Sequence, residues 1–408
     1  MKTTACNEIV IEYPGYIQSF GYLLGINVSN DKVEFFSENV LSLLDVSQEI
    51  LGINVNTFNN LAFISNSQHF RFLKLSADED VKYIDRVLLN NKEYHITYYR
   101  HLDIIYIELE ECILDAKDNS VLVKKIKNLV SYRQGSNIWE FLVDKIKEIT
   151  DYDRVMIYQF NEDKSGKVVA EAKNANMESF LNLHYPESDI PSQARALYLK
   201  NFKRILSDVH DTPIKLFSKQ KNVDLSLSSV RSLSPIHIEY LINAKISSSF
   251  SISIIIDNQL WGLVTCHNTY QKHIDLDHRL SAEIATFIAA NSYHSYLSSN
   301  AMVFENILQE KCFQLKKDFL SYQNISDSLT KNIERLRLVS ETDGLAVIID
   351  GQISKSGSVP DNEIIKRIAE WGITNIEEEM YYSDTFFNEF GEILGLDKKL
   401  LWNCNFVH

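Results

Sequence analysis

The sequence predicts a multidomain α+β protein built on antiparallel sheets, and three observations carry that reading. Apolar runs of strand length alternate with turn residues over 1–115 and again between 154 and 266. No proline falls between Pro235 and Pro360 and no glycine between Gly262 and Gly344, so the stretch from Asp277 to about Ser340 reads as long helix. A length of 408 residues, at roughly 100–200 per domain, makes two to four domains.

The elements follow in order. Residues 17–26, 32–36, 94–98 and 104–109 read as strands, with short helical pieces at 40–44 and 70–75. This gives a first domain with an antiparallel sheet, which ends in the charged stretch 110–119. A second domain opens with a helix over about 125–149, whose apolar Ile138, Phe141, Leu142 and Ile146 share one face. Two hairpins follow, 154–160 with 167–172 turning at 162–166, and 249–256 with 260–266 turning at Asp257-Asn258. Between them a helix is predicted to start near Asp189-Ile190-Pro191, because a capping side chain followed by proline in the first turn is a start signal. Ala282, Ala285, Ala289 and Ala290 favour the long helix strongly. Its length exceeds that of an ordinary globular helix, so it is expected to cross a domain boundary or to break into two. A third domain then shows a hairpin, 345–349 with 352–354, turning at Asp350-Gly351, and a helix over 361–371. Nothing after Leu396 reads as a finished domain.

Composition excludes several functions. Fifty-five acidic against 41 basic residues leave a net charge of −14, which argues against nucleic acid and against an anionic membrane surface as partner. No run of about 18 apolar residues spans a membrane, and the start MKTTACNEIV has no secretory apolar core, so a cytoplasmic location is expected. The five cysteines, Cys6, Cys112, Cys266, Cys312 and Cys404, are scattered and include no Cys-x-x-Cys, so neither a disulfide framework nor a structural zinc site is expected. Cys6, near an end, is the one whose reactivity matters more than its packing.

The chemistry-bearing residues are few. In the strand from Ser249 onward, Ser249, Ser251 and Ser253 share one face and Phe250, Ile252 and Ile254 the other. The serine face suits either a solvated surface or a hydroxyl-lined pocket. Cys266-His267 is no catalytic dyad, because neighbours on a strand point to opposite faces. His237-Ile238-Glu239 lacks the second histidine of a zinc-protease helix, and no glycine-rich phosphate loop exists. No catalytic constellation emerges. The residues alone give an acidic multidomain protein with a possible pocket in its middle domain.

Several longer stretches, in order, resemble one family. Cys6-Asn7-Glu8 followed by IEYPGYIQ (11–18) resembles the start of a bacteriophytochrome. The middle domain resembles that family's GAF domain through DRVMIY (153–158), YPESDIPSQARALY (185–198), RSLSPIH (231–237) and LWGLVTCH (260–267). The resemblance covers essentially the whole chain: a PAS domain with its attachment segment (1–118), a GAF domain (119–300) and a partial PHY domain (301–408). It implies PAS and GAF domains with antiparallel sheets joined in a figure-of-eight knot, with Ile17 at the crossing and the threading loop around 206–235. A long connecting helix and a partial GAF-like PHY domain would follow.

The resemblance also implies a red/far-red photoreceptor that binds biliverdin, a linear tetrapyrrole. Cys6 stands eight residues before Pro14, where the family attaches biliverdin by a thioether. Ile236 occupies the position where plant and cyanobacterial relatives carry their attachment cysteine. Asp189, Ile190 and Pro191 would present a backbone carbonyl to the pyrrole N–H groups. His237 would bond a propionate and a water, and His267 the carbonyl of the last ring. Arg204 and Arg231 would hold one propionate, and Ser234, Ser249 and Ser251 the other. Tyr158, Tyr185, Tyr198 and Tyr240 would complete the pocket around the last ring. The implied partners are a second copy through the long helices and a downstream kinase or response regulator. The rival reading is a PAS/GAF scaffold without chromophore.

Three departures stand out. Ser19-Phe20 replaces the family's Pro-His, with an expected effect on turn rigidity rather than chemistry. Asn268 replaces a second histidine after His267. The Pro-Arg-x-Ser-Phe pattern of the PHY tongue does not occur, so Asp189 would lack its usual arginine partner and the photoproduct is expected to be incomplete or short-lived.

Overall fold

The structure is a computed structural model that describes residues 11–47, 49–76, 81–113, 127, 137–320 and 324–375, with the backbone pairing of 380–383 and 404–407. Cys6 therefore lies outside the described residues. The chain divides into two compact units, Met1–Leu297 and Ser298–His408.

The first unit opens with β1 (Tyr16–Ile17), β2 (Gly21–Asn27), β3 (Val33–Ser37), α1 (Val40–Leu43), α2 (Ala62–Ser65), α3 (Gln68–Leu75), β4 (Tyr83–Leu89), β5 (Lys92–His101) and β6 (Ile104–Glu111). It continues with α4 (Ile138–Thr150), β7 (Arg154–Phe160), β8 (Gly166–Lys173), β9 (His184–Tyr185), α5 (Ser192–Lys200), β10 (Lys203–Leu206), β11 (Ile214–Ser218), α6 (Pro235–Asn243), β12 (Ser248–Ile256) and β13 (Gln259–Asn268). The long helix α7 (Leu276–Leu320) begins in this unit.

Two antiparallel sheets organise these elements, in the orders β1-β11-β3-β2-β6-β5-β4 and β10-β12-β13-β7-β8-β9. The first sheet takes β11 from the 206–235 loop of the second domain. Ile17 is fully buried, pairs with Ile214 on one side and bridges to Arg231 on the other. The 214–231 stretch thus flanks the N-terminal segment on both sides at Ile17, the residue at which the resemblance implies the crossing.

The strand predicted over 17–26 is interrupted, because Gln18 and Ser19 direct their backbone N–H groups elsewhere, to the Val230 carbonyl and the Asp211 carboxylate. A second correction concerns α5. It starts at Ser192, with Pro191 as its N-cap and Glu187–Asp189 in a separate 3-10 turn. A residue before proline is driven out of the helical region, and Ile190 is extended accordingly.

The second sheet has one dry face. Ile138, Leu142 and Ile146 of α4 and Ala282, Ala285 and Ala289 of α7 pack against Phe250, Ile252 and Ile254 of β12. The small alanines let α7 approach the sheet closely. Asp257 and Asn258 both adopt positive φ, 52° and 60°, which is the geometry of the tight turn joining β12 to β13.

The second unit contains the rest of α7, then α8 (Ile325–Lys331), α9 (Ile333–Val339), β14 (Gly344–Ile349), β15 (Gln352–Gly357), α10 (Asn362–Asn375), β16 (Met380–Ser383) and β17 (Cys404–Val407). The helix predicted to Ser340 ends at Leu320 and is followed by two short ones. The Asn324 side chain accepts from the Asp327 N–H at 2.7 Å and so starts a new helix instead of continuing the old one. β14 and β15 form the predicted hairpin around Asp350-Gly351, and β16 pairs with β17. No helix among the described residues is long and apolar enough to cross a membrane.

Candidate functional site

On the face of the second sheet opposite α4 and α7 lies a cavity of about 280 Å³. Strand pairing builds its floor. Ser249 stands opposite His267, Ser251 opposite both Arg204 and Thr265, and directly opposed strand residues share a face. Tyr158 enters from β7, Tyr198 from α5, and His237 and Tyr240 from α6. Asp189, Ile190 and Pro191 close one side, Tyr185 sits beside them, and Arg231 and Ser234 close another. Every described residue assigned from the resemblance lines this one cavity.

Alternation explains which neighbours stay out. Cys266 is fully buried on the core side, and burial pushes its thiol well up. Asn268 also faces away from the cavity. Its Oδ1 accepts from the Asp153 N–H at 3.0 Å and its Nδ2 donates to the Tyr270 carbonyl. Ser253 donates to the Tyr198 carbonyl at 2.7 Å, so the serine face supplies two cavity hydroxyls and one structural bond.

The electrostatics are unusual for a protein interior. Neither Arg204 nor Arg231 has a carboxylate partner among the described residues. Arg204 lies over the Tyr198 ring, 4.9 Å from its centroid, and Arg231 donates to the Ile11 carbonyl at 2.8 Å. Burial, helped by the charge of Arg204, lowers the Arg231 guanidinium to about 9. Burial lowers both His237 and His267 to about 4, with Arg204 adding to the effect at His237, and Arg154 and His237 at His267. Both imidazoles are therefore neutral at neutral pH. The Asp189 carboxyl is raised by burial, and no cation pairs with it among the described residues.

Three buried polar atoms that line the cavity have no partner: Tyr158 Oη, Thr265 Oγ1 and His267 Nδ1. Buried polar groups are nearly always bonded, so these three are open to partners within the cavity. Sequence reasoning missed Thr265, although its place two residues before His267 puts it on the same face. It also missed Arg195. The Arg195 guanidinium donates to the carbonyls of Ile190 at 2.7 Å and Lys164 at 2.6 Å and lies over the Phe160 ring, which pins the 189–191 segment.

The middle domain thus combines a cavity, an N-terminal segment held against the 214–231 stretch, and the start of the long helix α7. Residues 6–112 match the PAS fold family, 137–291 the GAF domain family and 309–398 the phytochrome region family. The chain belongs to the phytochrome family. It is 29% identical to cyanobacterial phytochrome B of Nostoc sp. over 93% of its own length and 52% of that protein's. It is 28% identical to the bacteriophytochrome of Pseudomonas aeruginosa over 85% of its length and 48% of the relative's, and 30% identical to that of Xanthomonas campestris over 89% and 59%. The chain thus spans about half the length of the curated relatives it matches. Among solved structures, the photosensory core module of the Stigmatella aurantiaca phytochrome superposes with a TM-score of 0.77 at 25% identity, covering 96% of this chain and 80% of that one. The matched domains are all of sensory types.

Proposed function

We propose that this chain is the light-sensing part of a red/far-red photoreceptor, with biliverdin held in the GAF cavity and joined to Cys6. The observation that carries the reading is the pair of guanidiniums, Arg204 and Arg231, facing one cavity without a carboxylate partner among the described residues. Such a pair suits a ligand that brings its own carboxylates, as biliverdin does with its two propionates. Bound there, biliverdin would supply light absorption and isomerisation of the double bond leading to its last ring.

The residues divide the work of holding it. Arg204 and Arg231 bind a propionate, and Ser234, Ser249 and Ser251 offer hydroxyls to the other. His237 and His267, both neutral, can each donate through one ring nitrogen, and the orphaned Nδ1 leaves His267 free to bond a ring carbonyl. The backbone carbonyl of Asp189 accepts from pyrrole N–H groups, while those of Ile190 and Pro191 already accept from Arg195, whose bonds hold that segment still. Tyr158, Tyr185, Tyr198 and Tyr240 exclude water around the ring system.

Attachment at Cys6 is within reach. Ile11 lines the cavity, and the five residues back to Cys6 span at most about 18 Å when extended. The thiol would add across a vinyl group, forming one carbon–sulfur bond and giving its proton to the neighbouring vinyl carbon, with nothing leaving. Ile236 offers no rival thiol. The signal would leave along α7, whose exposed Leu297, Phe304 and Leu308 share one helix face and would give a seam for a second copy, toward a kinase or response regulator.

Titration of the Cys6→Ser protein with biliverdin, followed by absorption, tests the cavity assignment apart from the covalent bond. Arg204→Ala and Arg231→Ala should each weaken binding about tenfold or more, the scale of a lost charge-assisted bond. Unchanged affinity in both would leave a scaffold that binds no bilin in this cavity.

A further inference from the structure

Just past the crossing at Ile17, the side chains of Gln18 and Phe20 touch the two ends of one bonded path. The Gln18 amide is buried and fully committed. Its Nε2 donates to the carbonyls of Ile205 at 2.8 Å and Arg231 at 3.0 Å, and its Oε1 accepts from the Ser207 N–H at 3.3 Å. Ile205 follows Arg204 in the chain, so one amide is bonded to the backbone beside both cavity arginines.

The path continues away from the cavity. The Ser207 hydroxyl bonds His273 Nδ1 at 2.8 Å, and the His273 ring packs on Phe20 with centroids 4.4 Å apart. Phe20 also lies 6.0 Å from the guanidinium of Arg279, in the first turn of α7. That turn and the residue before it are clamped to the first sheet by buried and half-buried polar pairs. Arg279 pairs with Glu110 of β6, Asp275 accepts from His95 of β5 at 3.0 Å, and Arg86 of β4 pairs with Asp277 at 2.6 Å. His95, Asp275 and Asp277 converge as a metal site would, but Arg86 already neutralises Asp277, and Asp275 accepts from His95 and from the Ile113 N–H. Phe20, one of the departures from the family pattern, is therefore a packing contact of the helix anchor and not only a turn residue.

We infer that Gln18 and Phe20 are positioning residues that carry the state of the cavity to the first turn of the long helix. The inference rests on the bilin reading of the cavity. When the Arg231 guanidinium takes up a carboxylate, its backbone can move only by breaking a Gln18 bond or by carrying Gln18 with it. Movement of Gln18 is passed through Ser207 to His273, and from the His273 ring through Phe20 to Arg279. A path of this kind counts as coupling only if both ends respond together.

Hydrogen exchange of the first turns of α7, with and without biliverdin, reads the coupling. In the unaltered chain, biliverdin should change exchange there about fivefold or more, the lower end of ordinary coupling between sites. Gln18→Met keeps the size and removes the amide, and Ser207→Ala cuts the path beyond Gln18 without touching it. Both variants should still show the bilin absorption band but lose most of the exchange change. Should Gln18→Met fail to fold, Ser207→Ala decides alone. A full response in folded Ser207→Ala, or bilin binding with no response in the unaltered chain, overturns the inference. Absence of any absorption band in the unaltered chain overturns the bilin reading itself.

Discussion

The hydroxyls of Tyr198 and Ser251 stand 2.8 Å apart and tie helix α5 to strand β12 across the cavity wall. The same tyrosine ring supports Arg204 from below and gives its backbone carbonyl to Ser253. One side chain therefore sets the spacing between the helix that follows Pro191 and the strand that carries the cavity serines.

Removing that bond should cost a measurable but modest amount. Tyr198→Phe and Ser251→Ala should each lower unfolding stability by about 1 kcal/mol, the usual net worth of such a bond. Together they should cost less than the sum of the two, because the second change finds the bond already gone. Denaturant unfolding of the single and double variants checks this.

Gly166 is a second point of close approach. A Cβ there would lie 1.9 Å from Cζ of the Tyr158 ring. Gly166→Ala should cost about 1–3 kcal/mol, as overpacking does, and should push the ring out of its place in the cavity wall. Thermal denaturation reads the first effect, and weaker biliverdin binding reads the second.

Stability of the ligand-free protein should depend on pH through the buried histidines. His237 and His267 titrate near 4 when folded, below the 6.5 of a free histidine, so the unfolded chain takes up protons first as the pH falls. Their contribution is fully present above about 6.5 and is lost as the pH falls from there toward 4. His273, lowered to about 3 by burial and Arg279, adds in the same direction. Melting temperatures across this window should fall toward acid, and the paired substitution His237→Asn with His267→Asn should flatten the slope without abolishing it.

Part of the site was legible from strand alternation, while Asp189, Arg204, Arg231, His237 and the tyrosines came from the family resemblance. The period of two separates Ser249 and Ser251 from Phe250 and Ile252, and His267 from Cys266, in the sequence itself. The alanines of α7 and the turn at Asp257-Asn258 are equally local signals. What stayed illegible depends on distant partners. The break at Gln18 follows from bonds to residues 205, 230 and 231, and β11 joins a sheet whose other strands lie more than a hundred residues away. β4 gave no apolar alternation, because Asp85 and Arg86 interrupt it. The role of Phe20 as a contact of His273 and Arg279 needed the folded chain to be seen.

The most direct test of the account is to mix the chain with biliverdin, record absorption before and after red light, and run the denatured sample on a gel containing zinc, which makes covalently held bilin fluoresce. The account predicts a red-absorbing band, a light-induced difference spectrum, and gel fluorescence that disappears in Cys6→Ser. A well-folded protein that gives no band would contradict the central claim, and fluorescence that persists in Cys6→Ser would contradict the attachment site.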